Sequence, residues 1–147
     1  TDLVNHDYDK KQSRTSIKNA LEFASKISRR KNVMFVISDF MDDNFWTEMK
    51  YLNFNHDVIG IQIYDLFEKE FPDLGLMKVH NSESNERVWI DTSNEKVRLD
   101  FSKDFSKRLN TFAQRCKNIG FDLLQIGTNE DYIKALTRFF KRRAKRT

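Results

Sequence analysis

Residues 33–43 read VMFVISDFMDD, an apolar run that passes directly into a serine and three aspartates. A short, continuously apolar run of this kind is typical of a strand that is covered on both faces. The stretch therefore predicts a buried strand over Val33–Ser38. Its carboxyl end leads into a loop that carries Asp39, Asp42 and Asp43.

Two further apolar runs, DVIGIQIYD (residues 57–65) and FDLLQIG (residues 121–127), have the same character. Between and around them, apolar residues recur at helical spacing. The predicted helices begin near Ile17 and near Tyr132 and cover residues 45–54 and 100–119, with Gly120 ending the last of these. Strands that alternate with helices predict an α/β fold, a three-layer Rossmann-like parallel sheet. Three strands are few for such a sheet, so we expect further strands upstream or from a partner.

The segments LMKVHN (residues 76–81) and ERVWID (residues 86–91) flank a polar turn and predict an inserted β-hairpin. The hairpin has two interpretations, a surface for a partner or a cover for a sheet edge. Trp89 correspondingly either marks a binding face or packs on a neighbouring helix.

Short polar side chains precede each predicted helix and can accept backbone N–H bonds there. The expected caps are Ser13 or Thr15 for the first helix, Asp42 and Asp43 for the helix near Phe45, and Thr128 or Asn129 for the last helix.

The chain of 147 residues fits a single domain, with an irregular lead-in over residues 1–12 and a basic tail over residues 141–147. It begins without Met, so we expect a fragment or a processed product. The five tail cations account for more than the whole net charge of +4, so the rest of the chain is close to neutral. A solvated helix end explains such a tail, and nucleic-acid binding is the alternative. No apolar run is long enough for a membrane span.

Ligands of open α/β sheets bind beyond the carboxyl ends of the strands, which places Asp39 at the functional rim. A carboxylate there suits Mg²⁺, although such residues commonly bond loop amides instead. Asp65 and Glu68 also follow a strand, but the pair lacks a third catalytic group. Cys116 lies on the apolar face of its helix, as a buried thiol does. His6, His56 and His80 lie far apart along the chain.

Several segments together resemble the C-terminal part of the bacterial "domain of unknown function 58" proteins, which are von Willebrand factor type A-like. The segments are RTSIKNAL, VMFVISDFMDD, LTRFFKRR and residues 56–98. The last of these is the most specific, because it contains the motifs D-x-x-E, P-D-x-G-L, D-T-S and V-R in that order. The resemblance covers the chain from about Ser13 onward. It implies a partial type A fold, the later half of a larger domain.

Type A domains hold Mg²⁺ at a metal-ion-dependent adhesion site, and the resemblance assigns Thr15 and Asp39 to two of its ligand positions. The D-x-S-x-S loop that supplies the main ligands is absent from these 147 residues. We therefore expect this chain to hold no cofactor, with Mg²⁺ bound only in a longer protein.

The resemblance implies a non-catalytic, cytoplasmic protein-interaction module that works with a MoxR-type AAA+ ATPase. The candidate partner contacts are Asp42, Asp43, Asp65, Glu68 and Trp89. Two alternatives stay open: a Mg²⁺-dependent hydrolase or phosphoryl-transfer enzyme that uses Asp39, and a nucleic-acid binder that uses the basic tail. If no strand precedes Val33–Ser38, that strand is a bare edge, and we expect self-association through it.

Overall fold

Helices and strands alternate along the chain as the sequence indicates. The computed structural model describes residues 16–70, 72–80 and 87–146. The elements in order are α1 (Ile17–Ile27), β1 (Val33–Ser38), α2 (Trp46–Asn55), β2 (Asp57–Tyr64), α3 (Leu66–Lys69), β3 (Leu76–His80), β4 (Arg87–Asp91), α4 (Glu95–Asn118), β5 (Asp122–Gly127) and α5 (Tyr132–Ala144).

The main sheet has three parallel strands in the order β1-β2-β5. The register aligns Phe35 of β1 with Ile59 of β2, and Ile61 of β2 with Leu124 of β5. The α/β class and the parallel sheet are confirmed. Within the described residues β1 pairs only with β2, so its outer side is an edge.

One face of this sheet is covered by α1, α2 and part of α4. Its core includes Leu21, Phe45, Met49, Leu52 and Cys116, of which Phe45, Met49 and Cys116 are fully buried. Gly60 lies in the middle of β2, and a Cβ there would come within 2.6 Å of the Phe121 ring. The close contact between this ring and the sheet therefore depends on the missing side chain.

The opposite face is covered by α5, whose Phe139 packs on Ile59, Ile61 and Ile126. Helices thus lie on both faces of the sheet, as a three-layer fold requires. The cover stops short of β1. Val33, Phe35 and Ile37 point to this same face and are 58%, 51% and 61% exposed.

The predicted hairpin is confirmed as β3 and β4, which pair antiparallel from Leu76 with Asp91 to His80 with Arg87. It forms a two-stranded sheet of its own. In the described part of the chain it therefore covers no edge of the main sheet. The buried Thr92 closes its base, because its hydroxyl donates to the Gly75 carbonyl at 2.6 Å and accepts from the Leu74 N–H at 2.9 Å.

Helix ends depart from the sequence-based expectations in several places. Ser16 caps α1; the expected caps Ser13 and Thr15 lie outside the described residues. The long helix begins at Glu95 behind the cap Asn94, five residues earlier than expected. Asp131, rather than Thr128 or Asn129, caps α5. The one-turn helix α3 was not foreseen, because four residues are too few for a periodic pattern.

Gly120 ends α4 as predicted. Its φ of 68° is left-handed, a conformation that glycine adopts without steric cost. The Phe121 N–H returns to the Cys116 carbonyl at 2.9 Å and closes the helix end. None of the helices in the described segments combines the length and the apolar character that crossing a membrane requires.

Candidate functional site

The carboxyl ends of the three parallel strands form one continuous rim. Ser38 aligns with Gln62, and Tyr64 aligns with Gly127. The loops that begin at Asp39, Asp65 and Thr128 therefore leave the sheet side by side. This is the edge at which parallel α/β sheets bind their ligands.

Asp39 lies on a tight turn that directs its side chain outward. The next residue, Phe40, has a positive φ of 56°, which is sterically costly for a residue with a Cβ. Its ring is buried against Phe45 and Phe112, with centroids 5.7 and 5.0 Å away. Packing of Phe40 thus holds the turn, and Asp39 stays exposed.

The oxygens of Asp39 are used by the turn itself. Its Oδ1 accepts the Ser38 hydroxyl and the Met41 N–H, both at 3.3 Å. The Ser38 Oγ in turn accepts the Phe40 N–H at 3.1 Å. Asp39 therefore acts as a turn-forming aspartate, the alternative that the sequence left open.

Two side-chain amides, one buried and one half-buried, connect this turn to the sheet and to α4. Gln62 donates from Nε2 to the Asp39 carbonyl at 3.1 Å. Gln125 donates from Nε2 to Gln62 Oε1 at 2.8 Å and to the Leu109 carbonyl at 3.1 Å. Amides on β2 and β5 thus fix the Asp39 turn relative to α4.

A depression of about 850 Å³ opens beyond this rim. We call it the rim groove. Its sides are the β1–α2 loop, the end of β2 with α3, the start of the loop after β5, and the face of α4 between Phe101 and Arg115. The volume is within the range of ligand-binding clefts, about 300–1,000 Å³.

The two long sides of the rim groove carry opposite charges. Asp39, Asp43, Asp65 and Glu68 lie on the strand-end side. Lys107, Arg108 and Arg115 lie on the α4 side, together with one acid, Asp104. Aromatic rings lie between the two sides, and they are Phe40, Trp46, Tyr64, Phe101, Phe105 and Phe112.

The basic side of the groove was missed by the sequence reasoning. Asp104, Arg108, Thr111 and Arg115 are spaced four, three and four residues apart, which places them on one helix face. That spacing was the available signal. It could not show that this face looks into the rim, because the orientation of α4 depends on packing.

Trp46 and Arg115 meet at one end of the groove. The Arg115 guanidinium lies 4.0 Å from the centroid of the Trp46 ring, within the range of a cation–π contact. The indole Nε1 of Trp46 is buried and has no hydrogen-bond partner among the described residues.

Tyr64 closes the other end of the groove. Its hydroxyl donates to Glu130 Oε1 at 2.9 Å. Burial first, and then the hydrogen bond to Glu130 and the charge of that carboxylate, raise the pKa of Tyr64 from 10.0 to about 12. The phenol is therefore a proton donor throughout the physiological pH range.

Asp42 and Asp43 do not cap α2, and that prediction is wrong. Phe45 occupies the cap position and makes no side-chain cap bond. Asp42 faces α1 instead, where its Oδ2 accepts the Ile17 N–H at 3.3 Å. Asp43 is exposed and lines the rim groove.

The other predicted contact residues divide between the groove and the hairpin. Asp65 caps α3 by accepting the Phe67 N–H at 3.0 Å, and both Asp65 and Glu68 line the groove. Trp89 is 59% exposed on the hairpin, with the Lys78 ammonium 5.6 Å from its ring centroid. It does not line the groove, and its exposure argues against close packing on a helix.

The described residues do not fit a magnesium ion. Thr15 lies outside them. The Asp39 Oδ1 is already hydrogen-bonded, and no group of three His, Cys, Asp or Glu side chains in the described segments could hold a metal ion. A hard cation such as Mg²⁺ needs several oxygen ligands in octahedral geometry.

The candidate nucleophile and bases lie away from the rim. Cys116 is buried, and burial raises the pKa of its thiol to about 12, as in an inert structural cysteine. His56 is buried just before β2, at the opposite end of the sheet, where its Nδ1 accepts the Asn32 N–H at 3.3 Å. His6 and the side chain of His80 lie outside the described part of the structure.

The basic tail is partly tied to the body of the protein. Arg143 pairs with Asp57 and, through Nε, with Asp122 at 3.1 Å. Arg146 lies 3.5 Å from Asp122. Asp57 and Asp122 begin two adjacent strands, so these arginines hold the end of α5 against the amino end of the sheet.

Comparison with known proteins places the chain among bacterial sequences. The family described as "Protein of unknown function DUF58" matches residues 2–110. An uncharacterized protein of Mycobacterium avium is 25% identical over 131 residues, which cover 88% of this chain and 77% of that protein. Uncharacterized proteins of Mycobacterium bovis and Mycobacterium tuberculosis are 25% identical over 123 residues. The matched region covers 82% of this chain but only 38% of each of those two proteins. No solved structure gives a significant match.

Proposed function

The chain belongs to the DUF58 family of proteins of unknown function, and we propose that it is a non-catalytic protein-binding module. The rim groove is the surface that receives a segment of the partner protein. The observation that carries this proposal is the division of the groove into an acidic side and a basic side with aromatic rings between them.

Such a surface suits a peptide segment that carries charges of both signs around an apolar residue. Complementary charges orient a partner and speed its approach, whereas a buried apolar contact supplies most of the affinity. Met41 and Ile63 line the groove and are 65% and 41% exposed. They offer apolar area that a partner can cover.

The polar groups of the rim support binding rather than chemistry. The Ser38 hydroxyl is held by Asp39 and the Phe40 N–H, with no histidine or lysine of the described segments among the groups that bond it. Tyr64 is kept protonated by burial and Glu130. A nucleophile needs an adjacent base to be activated, and the Ser38 and Tyr64 hydroxyls have only the exposed carboxylates of Asp39 and Glu130 beside them among the described hydrogen bonds.

The partner that we propose is a MoxR-type AAA+ ATPase in the cytoplasm. This part of the proposal rests on the family resemblance of residues 56–98 and of the VMFVISDFMDD segment, together with the family match over residues 2–110. The charged groove supplies a surface that such a partner can use.

The test is a calorimetric titration of the chain with a purified MoxR-type ATPase from the same bacterium. We expect saturable binding that Arg108→Glu and Glu68→Lys each weaken at least about tenfold, because each variant reverses a charge on one side of the groove. Lys78→Glu on the hairpin is the matched control and should bind like the unmodified chain.

Three results would contradict the proposal. Absence of binding at high concentration would reject the ATPase as partner. Binding that is equal in the groove variants and in the control would reject the groove. A Mg²⁺-dependent hydrolase or phosphatase activity that Asp39→Ala abolishes would reject the non-catalytic assignment.

A further inference from the structure

The basic residues of helix α5 lie on two different sides of the helix. Arg143 faces the sheet, where it pairs with Asp57 and Asp122 at the starts of two strands. The other side carries a row of exposed cations, which we call the outer row: Lys134, Arg138, Lys141 and Lys145. The outer row is therefore open to a ligand, whereas Arg143 is engaged by the protein itself.

The spacing of the outer row follows the turns of the helix. Its members are separated by four, three and four residues, so at about 100° per residue they fall within a sector of about 60°. Lys145 directly follows α5, and its φ of −85° and ψ of −7° are still helical. At about 1.5 Å per residue, the row is straight and about 16 Å long. It begins at Lys134, well before the basic tail.

The packing of α5 directs the outer row away from the sheet. Ala135, Leu136 and Phe139 lie on the inner side of the helix and contact the apolar residues of β2 and β5. Every member of the outer row is exposed. The direction of the row is therefore set by contacts of α5 with these two strands.

Most of the outer row has no counter-charge in the described part of the chain. Lys134 pairs with Asp131, with Nζ and Oδ2 3.1 Å apart. Arg138, Lys141 and Lys145 have no acidic partner among the described residues, and α5 itself contains no Asp or Glu. Like charges three or four residues apart destabilise a helix. A bound polyanion would offset this repulsion.

The helix dipole accounts for only part of the outer row. Cations are favourable near the carboxyl end of a helix, but the effect falls off within the last turn. Lys141 lies in that turn. Arg138 lies in the middle of α5, and Lys134 lies in the first turn, where the dipole disfavours a cation. The row therefore extends beyond the part of the helix that the dipole stabilises.

The outer row is basic without apolar or aromatic residues between its members. Proteins that bind single-stranded nucleic acid stack the bases on aromatic rings. Helices that bind membrane surfaces insert apolar side chains into the lipid, and protein interfaces have an apolar centre. The phosphate backbone of a duplex needs neither, because it presents a regular line of anionic groups with the bases stacked inside.

We propose that the outer row binds the phosphate backbone of a nucleic-acid duplex, independently of its base sequence. One strand of a duplex carries a phosphate about every 3.4 Å, so a row of about 16 Å spans about five of them. Cations that reach phosphates position a protein but read no bases. An isoelectric point of about 9.2 together with cations along one helix is typical of nucleic-acid-binding proteins. The proposal goes beyond protein binding by the rim groove and does not depend on it.

The first measurement is the fluorescence anisotropy of a labelled DNA duplex of about 20 base pairs, titrated with the chain in about 50 mM salt. We expect a dissociation constant between about 1 and about 100 μM, equal for two unrelated base sequences. The logarithm of the binding constant should fall with the logarithm of the salt concentration with a slope of about −3, because three or four cations release counterions. Absence of binding, or strong preference for one sequence, would overturn the proposal.

Neutral substitutions test the outer row directly. The triple variant Arg138→Gln, Lys141→Gln and Lys145→Gln should bind the duplex at least about tenfold more weakly, and its salt slope should shrink to about −1. Circular dichroism should show that it folds, since all three side chains are exposed. Arg138→Lys alone keeps the charge and should bind like the unmodified chain.

The matched control removes the same charge elsewhere. It substitutes Gln for three exposed cations on other helices, which are Lys26, Lys50 and Lys96. This variant should keep the salt slope of the unmodified chain, because counterion release depends on local contacts with phosphates. Equal weakening in the two triple variants would show that net charge attracts the duplex, and it would overturn the role of the row.

Asp131→Asn tests the outer row in the opposite direction. Asparagine can still cap α5 by accepting the Lys134 N–H, as the Asp131 carboxylate does at 3.1 Å. The substitution removes the negative charge that pairs with the Lys134 ammonium. Binding should tighten about threefold or more, and the salt slope should steepen by about one. Unchanged binding would contradict the assignment of Lys134 to the row.

Two competitors identify the class of polyanion. Phosphatidylserine vesicles and polyglutamate, each added at the same charge concentration as the duplex, should displace little of the bound chain. Vesicles that bind the outer row in place of the duplex would make it a membrane contact. Equal displacement by polyglutamate would make it a contact for an acidic protein. Either result would overturn the nucleic-acid assignment.

The outer row and the rim groove can fail separately. No member of the outer row lines the groove, so its triple variant should still bind the partner protein. Arg108→Glu, which weakens partner binding, should keep the salt slope for the duplex. Loss of duplex binding alone concerns the outer row, and loss of partner binding alone concerns the groove.

Discussion

Gln62 donates a hydrogen bond from its side-chain Nε2 to the backbone carbonyl of Asp39 at 3.1 Å. Gln62 is only 7% exposed, and its Oε1 accepts a second bond from Gln125. A buried amide on the central strand thus determines where the loop after β1 leaves the sheet. The position of Asp39 depends on the core of the protein as much as on its own turn.

Gln62→Leu should destabilise the chain by about 1–3 kcal/mol, because it leaves the half-buried Gln125 amide without one of its partners and the Asp39 carbonyl without the Gln62 donor. Urea unfolding measures the change. Gln114→Leu is the control, since Gln114 is exposed and bonds only Asn118 in the described residues; its effect should stay within about 0.5 kcal/mol. Equal stability of the two variants would contradict the role of Gln62.

At Phe40, glycine should destabilise the protein less than alanine, which is the reverse of the usual order. Either change removes a buried ring, at about 3–5 kcal/mol. Glycine relieves the positive φ of 56°, so Phe40→Gly should be less destabilising than Phe40→Ala by about 1 kcal/mol. At Phe139, buried within α5, the order should be normal, with Gly worse than Ala by about 1 kcal/mol. Chemical denaturation measures the free energy of unfolding of the four variants, and the same order of alanine and glycine at both positions would contradict the prediction.

Arg143→Ala should destabilise the protein by about 2 kcal/mol, because Asp57 and Asp122 lose a partly buried cationic donor. The neighbouring Lys141 is exposed, and Lys141→Ala should change stability by less than about 0.5 kcal/mol. The free energy of unfolding measures both effects. If the two variants are equally stable, the ion pairs at the start of the strands contribute nothing.

This result also affects any test of nucleic-acid binding. Deleting residues 141–147 removes Arg143 together with the exposed cations, so lost binding could reflect partial unfolding. Substitution of Lys141, Arg142 and Lys145 leaves the ion pairs of Arg143 and Arg146 in place. A steep salt dependence that disappears in this triple variant would support the tail as a nucleic-acid contact.

Tyr64 should ionise near pH 12 in the folded chain. Its pKa is raised above the ordinary value of 10.0, so the folded state favours the neutral phenol. The contribution of the neutral Tyr64 phenol to the free energy of unfolding is fully present below pH 10.0, and it is lost as the pH rises through about 12. Absorbance titration of the phenolate groups in the unmodified chain and in Tyr64→Phe shows which titration step belongs to Tyr64. Glu130→Gln should lower the Tyr64 pKa, and an unchanged titration in that variant would contradict the contribution of Glu130.

Titration of the chain with Mg²⁺ or Mn²⁺ should give no saturable heat, because the described rim residues supply too few oxygen ligands. Asp39→Ala should behave in the same way. Saturable binding that Asp39→Ala abolishes would show that ligands outside the described residues, such as Thr15, complete the site. A chain extended upstream is the informative comparison for the same experiment.

Features that depend on residues close together in the sequence were predicted well. The three apolar runs became β1, β2 and β5, and the polar turn between LMKVHN and ERVWID became a hairpin. Gly120 ended α4 because only glycine readily adopts the required φ. The helix caps were predicted poorly. Several Asp, Asn, Ser and Thr residues precede each helix, and sequence alone does not show which one reaches the first free N–H groups.

The candidate site was predicted only in part. Asp39, Asp43, Asp65 and Glu68 lie at one rim, because strand ends of a parallel sheet share an edge. Asp42 was wrongly placed, since its oxygen reaches α1 rather than the helix that follows it. The cations on the α4 side of the groove, Lys107, Arg108 and Arg115, were not foreseen.

The amino-acid sequence by itself determined the α/β class, the parallel sheet and the acidic character of the rim, because these follow from local periodicity and from the sign of nearby charges. Only the tertiary structure decided which face of α4 opposes the rim acids, and which side chains hold the Asp39 turn. These features join residues far apart in the chain, such as Gln62 and Leu109 through Gln125. Their placement depends on how helices pack on the sheet, which no local pattern encodes.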